Sequence, residues 1–251
     1  MTRLVLIITA VVLLTVSASF TDDATFMRDQ KRSIRVKQAY TEKEKQLNEN
    51  LKPFGLSLNQ VNILITAFKT EQHLTVYVKA PAEVKYRKFK TYSVCSMSGL
   101  LGPKRRKGDR QVPEGFYYID RFNPASAYYL SLGLNYPNAA DRIRSGSNDP
   151  GGDIFIHGKC VTIGCLPVTD DYIKEIYLLA LQAYQSGQRK IHVYIFPYKF
   201  NSIFADRFSA PYAGDKNTIA FWAKLKKGYD QFLTKQQELA VTINPAGEYV
   251  F

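Results

Sequence analysis

Residues 153–165 read DIFIHGKCVTIGC and hold two of the chain's three cysteines and one of its three histidines. A β-branched and aromatic run (Ile154, Phe155, Ile156) delivers His157 and Gly158, and Cys160, Thr162, Gly164 and Cys165 follow closely. This pattern predicts a strand that ends at the histidine and a tight, glycine-marked loop that carries the thiols. Three chemistries use such atoms: a metal centre, a disulfide, and a thiol nucleophile beside its base.

Upstream the texture is the same. VNILITAFK (61–69), HLTVYVKA (73–80), FKTYSVCS (89–96), GFYYIDRF (115–122) and AYYLSLGL (127–134) are short runs rich in β-branched and aromatic residues. The turn-forming stretches 98–115 and 135–152 separate the later ones. Downstream, Thr169 or Asp170 can cap a helix that Gly187 terminates. Its Ile173, Ile176, Tyr177, Ala180 and Ala183 recur at helical spacing, so that face is core. A further strand, KIHVYIFPY (190–198), and a second helix over 217–237 follow, and the tail beyond is undetermined. Residues 24–50 are polar and helix-prone, with Ile34, Val36, Tyr40 and Leu47 as sparse apolar points, and Pro53 and Gly55 break that helix. The helix is expected either to pack on the main domain or to act as a spacer. The reading is an α+β chain, mostly β from about 60 to 200, with an inserted helix and flanking helices. It divides into a leader at 1–19, a helical segment at 20–58, a catalytic domain at 59–200 and a C-terminal extension at 201–251.

The leader reads as a signal peptide. Arg3 supplies a positive start, Leu4 to Val16 an apolar stretch shorter than the ~20 residues a membrane span needs, and Ser17-Ala18-Ser19 a small-residue cleavage site. Cleavage after Ser19 removes Arg3 and no acidic residue, which lowers the net charge from +12 to +11. The protein is therefore expected to be exported to the periplasm or cell envelope, to act as a monomer, and to meet acidic polymers or membrane surfaces rather than nucleic acid.

For zinc, His157, Cys160 and Cys165 stand at H-x2-C-x4-C, without the paired C-x2-C knuckle of a structural site. For a disulfide, Cys160–Cys165 would close a very small loop, whereas Cys95–Cys160 would tie two strands and leave Cys165 free. For catalysis, an imidazole that takes a thiol's proton makes a nucleophile, and Gly164 permits the turn that would return Cys165 to His157 with backbone N–H groups available to an oxyanion.

The string HGKCVTIGC resembles the H-G…[S/T]-x-G-C signature of YkuD-type L,D-transpeptidase catalytic domains. The short loop between histidine and cysteine, followed by LPVTDDYIKEIY, is similar to the YafK-like branch. SGLLGPKRRKGDRQVPEGFYYI resembles that family's G…G-D…P-x-G strand–turn–strand, with Val112 where many members have threonine, and YYLSLGLNYPN also fits. Leu166 and Pro167 follow the thiol where many cross-linking members have arginine or asparagine.

The resemblance implies a YkuD-like β-sandwich in which Cys165 is the nucleophile and His157 the base. The Gly158 carbonyl would orient the imidazole, Thr162 and Gly164 would shape the thiol turn, and Cys160 would have a supporting or disulfide role with Cys95. It implies acyl transfer on diaminopimelate-containing stem peptides of peptidoglycan, with an amine or water as acceptor and an envelope protein as a conceivable linked partner. The chemistry needs no cofactor and no metal. Such peptides carry carboxylates, for which Lys104, Arg105, Arg106, Lys107, Arg110, Arg142 and Arg144 are candidate partners, Arg106, Arg142 and Arg144 being assigned to the substrate with Thr162 and a pocket-lining Tyr136. His73, His192, Phe221 and Trp222 read as surface, strand or core residues, and Asp170 and Asp171 as helix-start carboxylates. A non-catalytic stem-peptide-binding module and a zinc hydrolase are the rivals.

Overall fold

The computed structural model describes residues 24–251, and the signal-peptide reading of residues 1–19 lies outside them. The organising pair is β1 (Asn62–Phe68) and β8 (Ile191–Phe196), which run parallel at the centre of the sheet. Both are apolar on both faces, as a strand covered on two sides must be. Ile63, Ile65, Val193 and Ile195 face one core, and Leu64, Phe68, Tyr194 and Phe196 face another.

Around this pair lie β2 (His73–Lys79), β3 (Arg87–Ser93), β4 (Gly115–Asn123), β5 (Ser131–Leu134), β6 (Phe155–His157) and β7 (Leu166–Pro167). The order is β3-β2-β1-β8-β4-β5-β6-β7, one sheet of eight strands. The α+β class is as expected, and the sandwich takes the form of one curled sheet between helices. The curl returns β3 to β7: just past β3, the Cys95 N–H donates to the Pro167 carbonyl at 3.0 Å. There Cys95 is disulfide-bonded to Cys160, 65 residues on.

The first core is filled by α3 (Asp170–Gln185), capped by the Thr169 hydroxyl, which accepts from the Tyr172 N–H. Its five predicted core residues are all fully buried. Burial of each of the two isoleucines among them contributes roughly 1.5–3 kcal/mol. Outside α3 lies α1 (Ile34–Leu51), preceded by helical residues 24–32 and a bend at Ser33. The N-terminal segment is thus docked: Val36 and Leu47 are buried, Gln182 Nε2 donates to the Tyr40 hydroxyl at 2.7 Å, and Lys174 pairs with Glu42. Ile34 is instead 81% exposed. The other core lies under α5 (Lys216–Lys235), whose Phe221, Trp222, Leu225 and Phe232 are buried there. The tail forms a hairpin of β9 (Thr242–Ile243) and β10 (Tyr249–Val250). Two short helices, α2 (Ala139–Arg144) and α4 (Ala205–Ser209), lie in connections.

A buried ion pair fastens the loop between β3 and β4. Lys69 Nζ donates to the Glu114 carboxylate at 2.9 Å and to the carbonyls of Gly102 at 2.8 Å and Val112 at 3.0 Å. The Gly102 N–H and Trp222 Nε1 donate to the same carboxylate at 2.8 and 2.7 Å. Five charge-assisted hydrogen bonds thus hold loop, sheet and α5 together. Lys69→Met strips the countercharge from a carboxylate with no access to water, so urea denaturation should show a loss of about 3–5 kcal/mol. A loss under about 1 kcal/mol would mean that the pair does not anchor this loop.

Candidate active site

The thiol loop is held at both ends. The Cys95–Cys160 bond fixes its start. At its end the Thr162 hydroxyl accepts the N–H groups of Gly164 at 3.1 Å and Cys165 at 2.8 Å, and donates to the Cys165 carbonyl at 2.9 Å. This hook makes Thr162 a shaper of the turn, and it occupies the two N–H groups that the loop was expected to offer an oxyanion. Gly164 has φ +137°, and a Cβ there would stand 3.0 Å from the Gln111 carbonyl oxygen, so both conformation and space require glycine.

His157 ends β6. Its Nδ1 lies 2.6 Å from the Gly158 carbonyl, which as an acceptor fixes the proton on Nδ1 and leaves the Nε2 lone pair free to take another. The ring is buried under Tyr128, centroids 4.6 Å apart. Tyr128 was expected in a strand, but residues 127–130 turn before β5, with Tyr129 at φ +72°, and the turn lays Tyr128 over the imidazole. Gly158 is packed from three sides: an added Cβ would meet Asp170 Oδ1 at 2.5 Å, the Tyr128 carbonyl oxygen at 2.9 Å and Ile173 at 3.1 Å. Asp170 Oδ1 in turn accepts the Lys159 N–H at 2.8 Å, so the helix-start carboxylate also holds the histidine turn.

Strands β6 and β7 run parallel with Ile156 opposite Leu166, which brings Cys165 alongside Phe155, two residues short of His157. The expected thiol–imidazole hydrogen bond is not made: Cys165 Sγ donates to the Asp153 carbonyl at 3.6 Å. Burial pushes the thiol above its ordinary range, with the Phe155 N–H beside the sulfur opposing. Burial also holds His157 below the usual imidazole range, the Gly158 carbonyl opposing. Both shifts disfavour the charged forms and so oppose a preformed thiolate–imidazolium pair. With Cys160 bonded to Cys95, the zinc set of His157, Cys160 and Cys165 is not assembled.

Cys165 is half-buried and lines a cleft of about 650 Å³. Among the described residues its lining carries three cations from the loop that the Lys69–Glu114 pair anchors, Lys104, Lys107 and Arg110, and two carboxylates, Asp149 and Asp153. Lys104 is spent internally, donating to Asp109 at 2.6 Å and the Arg106 carbonyl at 2.8 Å. Lys107 and Arg110 have no ion-pair partner among the described residues.

The other expected substrate residues lie elsewhere. Arg106 is exposed and outside the cleft lining. Arg142 and Arg144 sit at the end of α2, which is seated by buried Asp141 bonded to the Tyr117 hydroxyl and Arg105. That seating leaves Arg142 in a separate hollow with Tyr118 and Asn135, and Arg144 over the Phe221 ring beside Arg105. Tyr136 is 4% exposed and off the cleft; its hydroxyl reaches the carbonyls of Lys104 at 3.2 Å and Pro150 at 3.1 Å. It ties together two segments that form the cleft wall, a positioning role.

Residues 62–193 match the model of the YkuD family, the L,D-transpeptidase catalytic domain. The protein named "Putative L,D-transpeptidase YafK" of Escherichia coli strain K12 is 37% identical over 191 residues, 75% of this chain and 73% of that protein. Among solved structures, the helical cell shape determining protein Pgp2 from Campylobacter jejuni aligns with a TM-score of 0.44 at 22% identity, over 74% of this chain and 73% of that one. Bd1075 of Bdellovibrio bacteriovorus aligns at 0.39 and 20% identity, over 69% and 63% of the two chains.

A raised thiol without an imidazolium partner has a definite signature. The rate of Cys165 alkylation by iodoacetamide should keep climbing beyond about pH 8.5, where a free thiol is already half ionised. A rate that levels off below about pH 7 would instead reveal a thiolate–imidazolium pair at rest.

Proposed function

Because the chain belongs to the YkuD family of L,D-transpeptidase catalytic domains, we propose that it is a cysteine acyltransferase of the cell envelope that works on peptidoglycan stem peptides through a Cys165 thioester. The observation that carries this reading is chemical selection among the three cysteines. Two are consumed by the bridge, and Cys165 remains free on a cleft that also offers Lys107 and Arg110.

As a stem peptide enters, the thiol turns from the Asp153 carbonyl to the Nε2 lone pair of His157. The thiol proton passes to Nε2 while Sγ bonds to diaminopimelate's own carbonyl carbon, in the amide that joins it to the next residue. His157, now cationic, gives that proton to the departing amine as the C–N bond breaks, leaving a thioester. The Gly158 carbonyl holds the imidazolium and the correct tautomer throughout. Lys107 and Arg110 meet peptide carboxylates, each by a charge-assisted hydrogen bond. The chain is read as exported and monomeric.

Release of the acyl group by an amine makes a cross-link or attaches an envelope protein. Release by water makes the enzyme a hydrolase of the same linkages. One observation favours water as the second reading: Leu166 and Pro167, which follow the thiol, are buried in β7 and present no polar side chain to an acceptor.

Sacculi incubated with the mature protein and, in parallel, with Cys165→Ala should yield Cys165-dependent muropeptides by LC–mass spectrometry. Cross-linked dimers or exchange of the terminal D-residue identify transfer; products with the mass of water added identify hydrolysis. The absence of any Cys165-dependent product would leave a binding module. Arg110→Ala should raise KM about tenfold with little change in kcat, the size of one charge-assisted hydrogen bond made equally in ground and transition states. An unchanged KM would remove Arg110 from the substrate.

A further inference from the structure

At the β1–β3 end of the sheet, far along the strand order from β6 and β7, a second cavity of about 400 Å³ opens between the strands and the C-terminal half of α5. Its volume lies in the range of small-ligand sites. Its floor is aromatic. Tyr77 packs edge-on against Phe232 with centroids 5.1 Å apart, and Phe68 packs against Tyr229 at 6.0 Å.

Hydroxyls are set among the rings by the alternation of the strands. The Thr66 hydroxyl is buried beside the Tyr77 hydroxyl, and no other group among the described residues hydrogen-bonds it. Thr75 and Thr91 share a single hydrogen bond of 3.0 Å between their hydroxyls, so one of the two hydroxyl protons is left over. A buried hydroxyl without a partner costs roughly 1–3 kcal/mol unless something supplies one.

The charge at the rim is of one sign. Lys88 is exposed, and Lys199 lies over the Phe68 ring at 5.8 Å; neither has an ion-pair partner among the described residues. His73, read from the sequence as a surface residue, is half-buried against Phe68 and lines the same cavity. Among the described residues no carboxylate lines it; Glu71, near His73 and Tyr229, accepts the Lys199 backbone N–H through Oε1 and keeps a buried Oε2 without a partner.

Each part narrows the occupant. An apolar ligand would leave the hydroxyls and ammonium groups unanswered, and a small inorganic anion has no use for the rings. A sugar ring offers apolar C–H faces to aromatic side chains and hydroxyl or amide groups to threonines, and a carboxylate on it answers the lysines. We propose that this cavity binds an anionic saccharide, a chain of amino sugars bearing carboxylates. In the cell it would hold the enzyme on peptide-free stretches of the glycan, whose sugar carboxylates are not consumed in an amide bond, while Cys165 acts on a neighbouring peptide. That anchoring role rests on the function proposed above, whereas saccharide binding does not.

The test is isothermal titration of Cys165→Ala, which cannot turn over, with peptide-free oligomers of alternating N-acetylglucosamine and N-acetylmuramic acid. Neutral N-acetylglucosamine oligomers of equal length serve as the comparison. Saturable binding of the first, at least tenfold tighter than the second, is expected. Tyr77→Ala and Lys199→Glu, each also introduced into the Cys165→Ala protein, should each weaken it tenfold or more. Lys88→Glu, at an exposed strand position, reads the same effect if Tyr77→Ala melts early. No binding, equal binding of both oligomers, or binding indifferent to Lys88→Glu and Lys199→Glu would overturn the proposal. Inactivity of wild-type Cys165 on sacculi would overturn the reading of the active site and leave this result standing.

Discussion

The meeting of the two sheet edges at Cys95 is the contact on which the rest of the molecule turns. An open sheet leaves a row of unpaired N–H and C=O groups at each edge. Here the curl around α3 brings the end of β3 onto β7, where the Cys95 N–H finds the Pro167 carbonyl. The same approach places Cys95 against Cys160, and the bridge that forms fixes the start of the thiol loop. Closure of the sheet, selection of the free thiol and placement of that thiol beside β6 are therefore one event. The curl itself follows from β1 and β8, which are apolar on both faces and so demand a helix on each side.

Electrostatics divides the basic residues into those that build the cleft and those that face it. Lys69 is fully desolvated and bonded to Glu114, and Lys104 is folded back onto Asp109. Both shape the loop rather than serve a ligand. Lys107 and Arg110, on the same loop, are left on the cleft wall by that arrangement. Burial pushes the Cys165 thiol up and holds the His157 imidazole down, so both shifts oppose a desolvated ion pair between them.

Much of this was legible in order of increasing distance along the chain. The strands 61–69 and 190–198 and the buried face of α3 announced themselves through periodicity, because burial against a neighbouring layer imposes a repeat of two or of 3.6. The histidine turn was legible through the family resemblance, which assigned the Gly158 carbonyl to the imidazole, and a glycine before Cys165 allows a φ that side chains avoid. Tyr136 was legible as important but not as to role, since a buried tyrosine tying two loops and one lining a pocket look alike in a sequence. Tyr128 and Asp170 carried no signal of their part, because each reaches the histidine turn from an element distant in sequence.

The amino-acid sequence by itself determined the class of fold, the helix and strand faces, and the presence of a histidine and a cysteine at the two ends of a short loop. These depend on contacts within a few residues and on repeats that hydrophobic burial enforces. Only the tertiary structure decided which cysteine Cys160 joins, which cations reach the cleft and to which acceptor the Cys165 thiol donates. Those outcomes turn on loops that the curl of the sheet and the Lys69–Glu114 pair bring together from far apart, and no local periodicity records which partner a loop will meet.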